Sequence, residues 1–188
     1  MQRIPQQIIH LAQRIGIGAI LTARARKGST HGAAYYGVSE WFGMQHREWH
    51  LSAQLERRMY RLWGKKPFIV VDPSQIDTGL LLHEIGHHIV VLAGESGCES
   101  SPELRAAAQE HLGVVPNTGD YFAACFDETG AQSLACYLCD CPLPPILRGL
   151  AERLLRKACL ADLTGKGKPV TTLRLVTAPV LVTAPVTL

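Results

Sequence analysis

Two histidines four residues apart, with a glutamate directly after the first, stand at His83-Glu84-Ile85-Gly86-His87. On a helix that spacing sets both imidazoles on one face, one turn apart, so both can reach a single metal ion. Glu84 follows the first ligand and can lean toward an open coordination position, where water sits. There it would act as general base while that water attacks a carbonyl. The chemistry asked for is zinc-assisted hydrolysis. Three fixed letters in five also arise by chance, so the surrounding sequence must carry part of the weight.

That surrounding sequence predicts a helix. Lys66 to Val71 is a β-branched and aromatic run, which predicts a strand. Asp72-Pro73-Ser74 breaks it and offers capping residues, and the stretch from about Ile76 to Leu92 is then helical. Leu82, Ile85, Ile89 and Leu92 share one face that would dock on the core, while His83, His87 and Val90 share another. The helix is apolar almost all round, which predicts burial. Histidines and a glutamate are costly on a buried helix unless something pairs with them, and a metal does so. Gly94 is placed to end the helix as a C′ residue.

A zinc site needs a third protein ligand. A glycine three residues after His87 and a histidine six after it would mark one large class of zinc peptidases, but Val90 and Ala93 occupy those positions. A second helical stretch from Asp120 to Leu138 offers Glu128, with Ala131, Gln132 and Ala135 on the same face. Small alanines would let this helix approach the first one closely. Gln132, one turn on, could accept a hydrogen bond from a ligand histidine and fix its tautomer. Two histidines, one glutamate and water form a known catalytic zinc set. His111 is the rival third ligand, with Asp127 next to be considered.

These residues resemble the ImmA/IrrE-type zinc metallopeptidases. Pro67 to Val90 is similar to that family's strand, capped helix and His-Glu-x-x-His segment. Glu128 to Leu138 resembles its second motif, Glu-x-Glu-Ala-Asn-x-Phe-Ala-x-x-Leu-Leu-Met-Pro. Glu128 falls at the first glutamate, Ala131 and Ala135 at the alanines, and Gln132 at the asparagine. Gly130 stands where the family has its second glutamate, and Cys139-Asp140-Cys141 replaces Leu-Met-Pro, with proline one place late at Pro142. Were the second glutamate the ligand, this chain would have lost it and would be an inactive module. The resemblance covers roughly Phe68 to Pro142. It implies a gluzincin-like site that cleaves proteins, often repressors.

The rest of the 188 residues bounds the reading. One domain with a real core fits this length. The formal charge of +3 is mild. Arg24-Ala25-Arg26-Lys27 and Lys65-Lys66 read as solvated surface more readily than as nucleic-acid contacts. No run is long enough to span a bilayer, and Gln6, Gln7, His10, Gln13 and Arg14 interrupt any leader-like apolar core, so a cytoplasmic protein is expected. Six cysteines include Cys136-x-x-Cys139-x-Cys141, which reads as a helix end carrying small apolar thiols, with a second metal site as the alternative. His46 and His50 repeat the spacing of four but read as a surface pair, and His88 as a neighbour of the core.

Further elements are expected as scaffold: a helix over residues 5–15, a strand pair over Thr30 to Val38, and a helix from Leu51 to Trp63. Ser101-Pro102-Glu103 should open a helix that Gly113 closes, and Leu143-Pro144-Pro145 one that runs to about Leu163. Beyond Gly165 a six-residue unit repeats, Leu175 to Val180 and Leu181 to Val186, which predicts a low-complexity, disordered tail over 165–188.

The expectation is therefore an α+β, zincin-like domain over residues 1–164, mostly helical, with a short β-sheet packed on the motif helix. One Zn2+ per chain would be held by His83, His87 and Glu128, with Glu84 as catalytic base and a protein or peptide as substrate. Tyr121, Tyr137, His111 and His31 are open as the second electrophile. The alternative is a zincin fold that binds a metal or a partner without catalysis.

Overall fold

The computed structural model describes residues 4–27, 32–38, 48–113 and 118–159. The expected tail, His31 and His46 lie outside these residues. The chain divides into two compact units, Met1–His88 and Ile89–Leu188. The mixture of helices with a small sheet agrees with the expected α+β class.

The first unit begins with helix α1 (Gln6–Arg14), which buries Ile8, Leu11 and Ala12, and continues through strands β1 (Ala19–Thr22), β2 (Arg24–Ala25), β3 (Ala33–Tyr36) and β4 (Trp49–His50). Helix α2 (Ala53–Leu62) follows, capped by the Ser52 hydroxyl, which accepts from the Leu55 amide at 3.2 Å. Strand β5 (Phe68–Val71) then enters the middle of a three-stranded sheet. It pairs in parallel with β1, Ala19 opposite Phe68, and antiparallel with β3, Tyr36 opposite Phe68. All four of its residues are fully buried, as an uninterrupted Phe-Ile-Val-Val run predicts for a strand covered on both faces.

Alternation along β3 gives its two tyrosines different tasks. Tyr36 stacks on Phe68 at 4.9 Å and accepts a hydrogen bond from the Trp49 indole at 2.8 Å. With Met59, Leu21 and Val70 these side chains form one buried cluster. Tyr35 points to the other face. A second sheet of two strands pairs β2 with β4 antiparallel.

Asp72 closes the end of β5. Its carboxylate accepts from the Ala25 amide at 2.7 Å and from the amide and hydroxyl of Ser74 at 2.8 and 2.6 Å. Burial alone would raise its pKa, but the bonds from Ser74 and Ala25 and the nearby Arg24 charge together hold it below the ordinary value. The expected cap is thereby corrected. Asp72 is engaged with this turn, and Asp77 caps helix α3 (Thr78–Leu92), accepting from the Leu80 amide at 3.1 Å.

The boundary between the two units falls inside α3. Leu82, Ile85 and Ile89 are buried as expected, whereas Leu92 is 43% exposed. The helix ends in a Schellman motif, with Gly94 at φ +69° and the Glu95 amide donating to the Val90 carbonyl.

The second unit holds the end of α3 and helices α4 (Pro102–His111), α5 (Thr118–Ala123), α6 (Phe126–Leu138) and α7 (Pro145–Lys157). The single helix expected from Asp120 to Leu138 is two, broken at Ala124–Cys125. α7 buries Leu147, Leu150, Leu154 and Leu155, the four leucines expected to face inward. Glu95 is buried between Arg153 at 2.9 Å and Lys157 at 2.6 Å, which ties the turn after α3 to α7.

Candidate metal centre

His83 and His87 stand on α3 as the spacing requires, and their Nε2 atoms are 3.1 Å apart. The two rings meet edge to face, with centroids 4.7 Å apart. Two nitrogens bound tetrahedrally to one zinc would be separated by about 3.3 Å, given bonds of roughly 2.0–2.1 Å. The helix thus delivers both nitrogens at nearly the separation a shared ion needs. His83 is 7% exposed and Glu84 6% exposed, while His87 is half-buried.

Glu128 enters in the first turn of α6. One carboxylate oxygen of Glu128 and one nitrogen of each histidine all lie within 4.8 Å of one another. Among the described residues, this is the one group of three or more His, Cys, Asp or Glu side chains that could hold a metal ion. The donor set suits a borderline ion such as zinc, since two neutral imidazoles and a carboxylate are ligands it accepts.

The rivals lie elsewhere. His111 is exposed at the end of α4, with its Nε2 3.6 Å from Glu110. The Asp127 carboxylate accepts from the Gly97 amide at 2.9 Å. The amide nitrogen of Gln132, expected to support a ligand histidine, donates to Cys136 Sγ at 3.7 Å.

Gly130 is accounted for by packing. A Cβ at this position would stand 2.9 Å from Val90 Cγ2 and 3.2 Å from Leu154 Cδ1. Val90 is β-branched and stiff, so α6 can come this close to α3 only with a bare backbone there. A glutamate at 130 would point into that contact.

Two residues near the histidines make contacts that the sequence does not announce, although His88 packs in the core as expected. His88 is buried, and its Nε2 lies 2.9 Å from the Ile15 carbonyl, which can only accept; Nε2 therefore carries the proton. Its Nδ1 then accepts from the Tyr35 hydroxyl at 2.9 Å. Burial, partly offset by the bond to Ile15, lowers the His88 pKa and favours this neutral form. The Tyr35 ring, held through its hydroxyl, has its centroid 6.5 Å from that of the His87 ring and lies 17° from parallel to it. One chain of contacts runs from the Ile15 carbonyl through His88 and Tyr35 to His87.

The residues considered as a second electrophile are dispersed. Tyr137 donates to Glu152 Oε1 at 3.3 Å, and burial together with that carboxylate raises its pKa. Tyr121 is half exposed and lies edge-on to Phe122. No family model matches the chain, and neither a curated protein nor a solved structure matches it.

Proposed function

We propose that the chain is a zinc-dependent metallopeptidase with a zincin-like fold. The observation that carries this reading is the approach of His83, His87 and Glu128 to within 4.8 Å of one another, with Glu84 next to the first histidine. Zinc held there would supply a Lewis acid for the carbonyl and lower the pKa of a water molecule. Glu84 removes the proton from the attacking water and returns it to the departing amide nitrogen. His83 and His87 serve as neutral ligands, and the contact from Tyr35 restrains the His87 ring. The resemblance to ImmA/IrrE-type enzymes supports a repressor or other regulatory protein as the substrate class.

The test is digestion of a broad peptide library by zinc-loaded protein, with and without a chelator. Cleavage should stop with the chelator. Glu84→Gln should keep its zinc while cleavage falls by about two or more orders of magnitude. Undiminished cleavage by Glu84→Gln would exclude this mechanism, and zinc binding without any cleavage would leave a metal-binding module.

A further inference from the structure

The C-terminus of α6 closes in a Schellman motif. The Asp140 amide donates to the Tyr137 carbonyl at 3.2 Å, and the Cys141 amide donates to the Cys136 carbonyl at 2.9 Å. Asp140 takes the left-handed conformation at φ +58°, the position glycine usually fills and the one Gly94 fills after α3. This motif commonly brings the side chain three positions inside the C-cap into contact with the side chain two positions past it. Here those two residues are Cys136 and Cys141. All six cysteines are free. A direct amide-to-carbonyl bond keeps the two backbones close, as a disulfide spanning roughly 4.4–6.8 Å between Cα atoms requires.

We infer that Cys136 and Cys141 are a redox-modifiable pair whose oxidation staples the C-terminal end of α6. The inference stands independently of the metal centre. Small disulfides such as oxidised glutathione are the chemical class of oxidant. The Cys141 thiolate, on an exposed residue, attacks one glutathione sulfur. A Cys141–glutathione disulfide forms and one glutathione thiolate leaves, taking up a proton. The Cys136 thiolate then attacks Cys141 Sγ, the intramolecular bond forms, and the second glutathione leaves as its thiol. Two cysteine thiols are oxidised and one glutathione disulfide is reduced to two thiols.

The two steps should differ in speed. Burial and the neighbouring Cys141 push the Cys136 thiol up to about 11, against the hydrogen bond from Gln132. Its thiolate is scarce at neutral pH, so ring closure should accelerate by roughly tenfold per pH unit below that value. The glutathione adduct on Cys141 should accumulate first and then give way to the intramolecular bond.

The test is incubation of the full chain with oxidised glutathione in mildly alkaline buffer, alkylation of remaining thiols under denaturing conditions, and peptide mass spectrometry. The expected product links Cys136 to Cys141, with a mass lower by two hydrogens, in the wild type and in Cys139→Ser. Cys141→Ser, a change at an exposed position, should abolish it and provides the control if Cys136→Ser folds poorly. Arrest at the Cys141–glutathione adduct, or a link from Cys141 to Cys139, would overturn the inference.

Discussion

His87 has two ring neighbours: His83, one helical turn away, and Tyr35 from strand β3, nearly parallel to it with centroids 6.5 Å apart. The sequence exposes the first, because a spacing of four within one helix needs no knowledge of the rest of the fold. It conceals the second. Tyr35 and His88 are 53 positions apart, and nothing in their local patterns says that a hydroxyl will meet an imidazole. Tyr35→Phe keeps the ring beside His87 but strips the buried His88 Nδ1 of its donor, which costs about 1–3 kcal/mol. The expected outcome is a melting temperature several degrees lower, with zinc still bound in chelator competition. An unchanged melting temperature would show that the hydroxyl bond contributes nothing.

At the scale of elements, legibility follows the length and continuity of the pattern. β5 is visible as an unbroken β-branched and aromatic run, α3 as a long apolar one, and α7 as leucines at helical spacing. β1, β2 and β4 are four and two residues long, too short for a period to show, and long-range pairing decides them. The break between α5 and α6 is settled by one side chain. The Thr129 hydroxyl reaches back to the Phe122 carbonyl at 2.7 Å and the Cys125 carbonyl at 3.1 Å, supplying a partner where the helical ladder stops. Gly130 looks like a lost glutamate in the sequence and is a packing device in the fold. Gly130→Glu, which introduces the residue the resembled motif carries there, should therefore destabilise by about 3 kcal/mol or more through overpacking and a buried charge. Denaturant unfolding would measure the loss. A Gly130→Glu protein of wild-type stability and tighter zinc binding would mean that position 130 faces the metal.

Over the whole molecule, the described residues contain no helix long and apolar enough to cross a membrane. All three proposed ligands and Glu84 precede Gly165, so truncation there should preserve both zinc content and melting temperature. A large fall in melting temperature would show that the repeat belongs to the core. The ligand helices were legible as separate segments, but the convergence of Glu128 with two histidines some forty positions earlier depends on the tertiary fold. The central claim is thus a claim about one shared ion. Zinc stoichiometry, measured by elemental mass spectrometry on purified, zinc-equilibrated protein, tests it most directly alongside Glu128→Ala. The account predicts one zinc per wild-type chain and, for Glu128→Ala, an affinity lower by at least about two orders of magnitude, since loss of even an outer partner costs about 10–100-fold. No stoichiometric zinc in the wild type, or equal affinity in Glu128→Ala, would contradict it.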